Sequence, residues 1–531
     1  MPAKIGPDDS SVLLEFGGGI HSRASEADIG PRECADGQNF ILDPRNLEFR
    51  SRPPFDLIGT VPNAAEIRGG GTLLKTDGTV QSFIQAGSKV YEWDGGTTFT
   101  EIATVSSSAK LRGRLEHQWP LSDKVIVTDI AKAEEVYDWD GSTFASVSFT
   151  TDGSTPFTGN FRAKYCIVEG ERAWFANVHD NGSEFPHLIV GSALTDYTQI
   201  DTSNRPSSSL NSSDPFYMVQ PDNRPINGVV EAFGVRVISS DMGSLYQITG
   251  SDTTDFAVES LYPRSGASGA ESLVYIGNDI AYGRQGRIES VISTDQFGDV
   301  ETDDLSLPIQ DSIETLDDWT AVYNQRLQRV YFFPNGESVC WVFFKSLRDS
   351  DVSPWSKFVT DHALQMQPTF VLNMLDPSDG LEYVFMGDGN GNFYRMEGTG
   401  QNGDGGTTEI DSFRLSALIQ GTLDATVKRL SGWIRYRKGD AITLNLRLVS
   451  SGEYIFNKTI AIGLTAAANR KFYNDGNYYS NGVYYGSFSE RLARELFKVA
   501  GKSNEFQIRL EVTDASPFAI SQAGLRFEEG S

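Results

Sequence analysis

Cysteine, histidine and positive charge are all scarce in this chain of 531 residues. The 3 cysteines, Cys34, Cys166 and Cys340, are odd in number and far apart. Neither a disulfide framework nor a zinc site is implied by them. Cys340 stands in the apolar run VCWVFF and reads as core. The 5 histidines are His21, His117, His179, His187 and His362. None falls in an HExxH or HxxxH arrangement, and His179 and His187 only flank a turn at 180–183, too loosely for a metal pair. The 45 basic residues face 71 acidic ones, a net charge of -26. Such a surface repels phosphate, which argues against a basic face that reads DNA and against docking on anionic membranes. It suits a conduit along which nucleic acid slides without adhering, and equally a plain soluble surface. No run of 18 apolar residues could cross a membrane as a helix. The opening MPAKIGPDDS has no apolar h-region, so no leader is expected. G-x-S-x-G, G-x-x-x-x-G-K-[ST] and CxxC are all missing. GASG at 266–269 precedes a strand rather than a helix, so it is not a phosphate cradle.

What is abundant points to β structure. There are 52 glycines, and 11% of the chain is aromatic, the mixture of tight turns and half-buried strands. Residues 241–292 show it best. GSLYQITG, DFAVESLY, LVYI, DIAY and RIESV are short strands cut by Gly277-Asn278-Asp279 and by 283–286, the form of an antiparallel meander. VYEWDGGTTF (90–99) and VYDWDGSTF (136–144) nearly repeat about 46 residues apart, within the ~40–50 residues of a four-stranded propeller blade. Each reads as an outer hairpin whose Asp-Gly turn follows a packed Trp. RVYFFPNGESVCWVFF is a hairpin about Pro334-Asn335-Gly336, and EYVFMGDGNGNFYRMEG is another. Residues 201–228 read as a loop or an excursion between blades.

The expected fold class is all-β: a β-propeller followed by a C-terminal β-sandwich. Residues 1–50 read as an N-terminal arm with a hairpin (FIL and LEF about 43–46), 51–405 as the propeller-like domain, and 406–531 as the sandwich. NGDGGTT (402–408) reads as a flexible joint. Two short helices are expected. One lies behind Pro308, with Ile309, Ile313 and Leu316 on one face. The other starts at the capping box Ser487/Glu490, carries Leu492, Leu496 and Val499, and ends at Gly501.

Three clusters could carry function, each with a plainer reading beside it. Asp388, Asn390 and Asn392 imitate the start of a calcium loop, but Phe393 stands where the sixth position needs Gly and no Glu follows at the twelfth. A tight hairpin explains them. Asp299, Glu301, Asp303 and Asp304 could supply the carboxylate pair of a sugar hydrolase, or form a solvated rim. Lys428, Arg429, Arg435, Arg437 and Lys438 form the one basic cluster. Arg435, Arg437 and Lys438 are the candidate contact with an acidic partner, a second copy of this chain included. The Tyr-rich stretch 473–486 could serve the same end.

Three segments together resemble the tail nozzle proteins of short-tailed bacteriophages, also called tail tubular protein B or tail accessory proteins. They are GGGI with ECADGQNFILDP and LEFRSRPPF; VISSDMGSLYQITG, DFAVESLYPRSGASG and LVYIGNDIAYGRQGRIESV; and RVYFFPNGESVCWVFF with PWSKF. The resemblance implies a structural virion protein built on a propeller, without catalytic residues or cofactor. It implies a homo-oligomeric, hexameric ring below a tail adaptor protein that also anchors a tail fibre or spike. Genomic DNA would pass through the ring during ejection without sequence-specific binding and without membrane insertion. Assembly would take place in the host bacterial cytoplasm. The alternative reading is a receptor- or glycan-binding propeller of the tail.

Overall fold

The computed structural model describes residues 11–42, 49–151, 160–293 and 300–398 apart from 15, 24, 26, 27, 31, 233 and 278. Beyond them it describes 404, 405, 408 and the strands between 410 and 529. It is almost entirely β. Among the described residues seven four-stranded blades follow one another. Their innermost strands are Ile67–Leu74, Leu111–Gly113, Arg162–Glu169, Ile226–Ala232, Leu273–Tyr275, Trp319–Asn324 and Phe370–Leu375. Each blade meets the next through these strands, except that the second meets Arg162–Glu169 through Lys124–Asp129 and the turn Leu115–His117, and the last strand returns to the first, so the disc is closed. The closure uses a strand from far upstream: Asp56–Thr60 supplies the outer strand of the seventh blade, pairing antiparallel with Asn392–Arg395.

The first two blades merge into one sheet. Gly69, Gly70 and Gly71 lie on the first inner strand, and Leu111–Gly113 runs parallel to it in register Arg112↔Gly70 and Gly113↔Gly71. A Cβ on Gly69 would sit 2.6 Å from the Leu111 carbonyl oxygen, and one on Gly71 2.5 Å from that of Gly113. Only glycine permits this approach.

The near-repeat is the outer hairpin of these two blades. Trp93 faces Phe99 and Trp139 faces Phe144 across the strands. Asp94 accepts the Gly96 N–H (2.8 Å) and Asp140 the Ser142 N–H (2.8 Å), so each carboxylate builds its own turn. Both indoles are fully buried. The 329–334/340–344 hairpin forms as read, with Phe332 opposite Trp341, and Cys340 is core. The helix behind Pro308 is a 3-10 turn, Leu307–Ile309, running into Gln310–Ile313. Residues 201–228 are less irregular than expected, because Phe216–Val219 is the outer strand of the third blade.

Among the described residues two six-stranded sheets make the second body. One holds Phe40–Ile41, Phe49–Ser51, Ala519–Glu529, Val427–Lys438 and Arg491–Phe497, with Ser11–Leu14 added alongside. The other holds Cys34–Gln38, Ile410–Ser416, Glu505–Asp514, Ile442–Ser450 and Glu453–Ile462, with Ile419–Gln420 added alongside. Phe40, Phe49 and Ile520 from the first share a buried cluster with Cys34, Ile508, Leu510 and Val512 from the second, as a sandwich requires.

Two expectations are corrected here. The first 50 residues are not a separate arm: four of their strands belong to the sandwich. The helix read from Ser487 to Gly501 is also replaced. Residues 491–497 are a strand whose register runs from Tyr436↔Arg491 to Leu430↔Phe497. RLARELF carries both periods, with Leu492 and Leu496 two steps of two apart as well as four. The neighbouring strand's ladder then overrides helix propensity. The capping residues Ser487 and Glu490 lie outside the described residues.

Candidate functional site: the axial cavity

Seven inner strands converging on one axis leave a cavity of about 530 Å³. That lies within the ~300–1,000 Å³ range of small-molecule sites. All but the first inner strand line it, along with the loop 114–117. This loop exists because the inner edge of the second blade is broken. Leu111–Gly113 and Gln118–Trp119 both pair with Lys124–Asp129, and a 3-10 turn, Leu115–His117, bridges the gap. The break turns Arg114 and Glu116 toward the axis. His117 anchors it, its buried Nδ1 donating to the Ile126 carbonyl at 3.0 Å. Burial, reinforced by the Arg114 charge, pushes this imidazole down to about 3, so it is neutral at ordinary pH.

The charges are arranged by level. Near the start of the inner strands Glu271 grips two guanidiniums. Arg112 gives it Nε (2.8 Å) and Nη2 (2.7 Å), and Arg114 gives it Nη2 (2.6 Å). Burial alone would push the Glu271 carboxyl up. The two arginines outweigh it and hold the carboxyl down at about 2. Arg112 is saturated: its Nη1 donates to the carbonyls of Arg68 and Leu111, and its plane lies 5.1 Å from the Phe370 ring. Lys164 stands at the same level. Its ammonium lies 5.6 Å from the Tyr165 ring centroid and makes no hydrogen bond or ion pair among the described residues. Burial, with repulsion from Lys132, holds it below the usual lysine range. The far level is acidic. Glu231 is next to last in its inner strand, and Glu382 lies opposite Leu375 at the end of another. Burial, with repulsion from Glu116, raises the Glu382 carboxyl. Lys345 also lines the cavity but spends its ammonium on the Ile276 carbonyl.

Of the histidines and cysteines noted in the sequence, His117 and Cys166 line this cavity; among the described residues, none of the three clusters singled out there does. Asp303 and Asp304 sit on Val300–Asp304, the outermost strand of the fifth blade. Asp303 meets Arg348 at 3.2 Å, and Asp304 accepts from the Ser306 N–H and hydroxyl. They do not form a carboxylate pair facing the funnel; Asp299 lies outside the described residues. Asp388 accepts the N–H groups of Asn390 and Asn392, both at 2.9 Å, as a hairpin turn does. Among the described residues no group of three His, Cys, Asp or Glu side chains is placed to hold a metal. Nor is any helix among them long and apolar enough to cross a membrane. Arg435, Arg437 and Lys438 lie on Val427–Lys438, an interior strand of the sandwich, where pairing slips at Arg435/Tyr436 and at Tyr436/Lys438. Their side chains, and the stretch 473–486, lie outside the described residues. The residues that do converge (Arg112, Arg114, Lys164, Glu271) gave one sequence signal, the dense LRGRLEH run at 111–117. Nothing local ties it to Glu271.

The second focus is the joint between the two bodies. The Gly19 N–H donates to the Ser353 carbonyl (2.7 Å), Ile20 to Trp355 (2.8 Å) and Asn39 to Lys357 (2.8 Å). A Cβ on Gly19 would stand 2.0 Å from the Trp355 oxygen. Glu33 accepts the Ser353 N–H at 2.6 Å and meets His21 at 3.0 Å. Burial opposes ionisation of Glu33, but His21 and these N–H groups hold its carboxyl below the usual range. Arg52 and Asp404, both almost wholly buried, form a two-pronged pair. Arg52 also donates to Asn39 (2.9 Å) and to the Val359 carbonyl (3.0 Å). The expected flexible joint at 402–408 is therefore pinned at Asp404.

No protein-family model and no curated protein sequence matches the chain. Among solved structures it is similar to virginiamycin B lyase from Staphylococcus aureus, at 10% identity over 64% of this chain and 98% of that one, TM-score 0.41. The N-terminal domain of Nup159 aligns at 10% identity over 65% and 95%, TM-score 0.39. The WD40 domain of Toxoplasma gondii coronin aligns at 9% over 68% and 87%, TM-score 0.37.

Proposed function

We propose that this chain is a structural virion protein, the nozzle of a short-tailed bacteriophage tail, and not an enzyme. The observation that carries the reading is where the resembling segments meet. GGGI and ECADGQNF, from the first, dock on PWSKF, from the third, and together they fasten the propeller to the sandwich. Parts of the first and third segments thus coincide with the joint that would keep a ring subunit rigid under internal pressure. The acidic charge suits a wall along which DNA slides. The conduit in this reading is the axis of the ring of copies, because a cavity of about 530 Å³ is of small-molecule size. Sedimentation and electron-microscope imaging of the purified chain, alone and with a tail adaptor, test it. A ring, or a monomer that becomes a hexamer on the adaptor, is expected. A chain that ignores the adaptor and is missing from virions sinks the reading.

A second reading, a receptor- or glycan-binding propeller, is favoured by that same cavity volume. A glycan array separates the two.

A further inference from the structure

We propose that the axial cavity is a binding site for a small anion, a phosphate or carboxylate group held between Lys164 and the free edge of Arg114. The inference does not depend on the tail reading.

Four observations carry it. The cavity is of ligand size and is walled by six inner strands, so it is a built feature rather than a surface dent. Its basic level sets three cations, Arg112, Arg114 and Lys164, against one carboxylate, Glu271, inside a chain whose net charge is -26. The division of labour among the cations is clear. Arg112 spends its donors on Glu271 and two carbonyls, whereas Arg114 gives Glu271 only Nη2 and, among the described residues, keeps Nε and Nη1 uncommitted. Glu271 therefore orients Arg114 without neutralising it, as a second partner orients a binding residue. Lastly, Lys164 is a half-buried ammonium with no ion-pair partner among the described residues, an arrangement that costs free energy unless an anion arrives. The acidic Glu231 and Glu382 stand near the far ends of inner strands, and Glu116 lies within the field of both Glu382 and Arg114. A bound anion would be drawn to the basic level and repelled from the far one.

The test is titration calorimetry of the full chain with inorganic phosphate and, separately, with succinate, using chloride at matched ionic strength as the control. At least one probe is expected to give a saturable, single-site heat that chloride does not. Saturation by phosphate alone assigns an oxyanion, and by succinate alone a carboxylate; either supports the site. Lys164→Gln is expected to weaken binding tenfold or more. It should barely change the unfolding midpoint of the ligand-free chain, because among the described residues Lys164 makes no ion pair and only a 5.6 Å contact with the Tyr165 ring. Arg114→Lys, which retains a cation beside Glu271, should weaken binding several-fold. Lys89→Gln, on the third strand of the first blade, should change nothing. The inference is overturned if neither probe saturates, or if Lys164→Gln and Arg114→Lys both bind like the unaltered chain.

Discussion

The propeller and the sandwich solve the same problem, burying two-faced strands, by opposite routes. Nearly every pair in the propeller joins neighbours along the chain, and only Asp56–Thr60 comes from afar. The sandwich is sewn from the two ends: Ser11–Leu14 pairs with Ala519–Glu529, and Cys34–Gln38 with Ile410–Ser416. A body made of local hairpins can form piece by piece, whereas one made of distant partners must close long loops first. The propeller should therefore tolerate damage elsewhere, and the sandwich should not.

The harshest way to break this contrast is to delete residues 1–51. Both sandwich sheets lose strands, while the closing strand of the propeller stays. Limited proteolysis should degrade 410–529 quickly and leave a core spanning about 56–395. If both halves resist equally, the contrast is wrong. Next in size is Asp404→Ala at the joint. It strands the buried Arg52 guanidinium and should cost about 3–5 kcal/mol in urea unfolding. A loss under ~1 kcal/mol would mean that the two bodies are not coupled there.

Acid should then single out the propeller axis. The folded state holds His117 at about 3, below its ordinary 6.5, so the unfolded chain takes the proton first. The stability from keeping His117 neutral is complete above 6.5 and falls as pH drops toward 3. Glu271, held at about 2 against an ordinary 4.5, adds stability that is complete above 4.5 and is lost as pH falls through 2. Between pH 6.5 and 4.5 the decline due to these two groups belongs to His117 alone, and His117→Gln should flatten it in urea midpoints taken at pH 7.5 and 5. An unchanged slope would remove His117 from the account. The smallest effect is expected at the rim. Lys89→Ala removes a partly exposed pair with Glu101 (2.5 Å) and should shift stability by only ~0.2–1 kcal/mol.

The same contrast decides what the sequence could tell. The blades were legible because an Asp-Gly turn and its flanking strands are one short word: 90–99 and 136–144 predicted their hairpins from composition and spacing. The sandwich was legible as a class but not as a topology, since nothing in ECADGQNF names Ile410–Ser416 as its partner. That blindness is why residues 1–50 read as an arm and 402–408 as a loose joint. The helix from 487 failed for a related reason, because a ladder offered by Val427–Lys438 is invisible from RLARELF. The axial site was missed for want of long-range information. Arg112 and Glu271 stand 159 positions apart and meet only because the ring closes.

The far-upstream closing strand has a bearing on synthesis. Residues 56–60 leave the ribosome more than 300 positions before the strand Asn392–Arg395 that they complete. At ~5–20 residues per second the nascent N-terminus waits roughly 20 s to over a minute with unpaired edges. The cell must shield that segment or tether it transiently, and a pause in translation before the seventh blade should cost more yield than one after it.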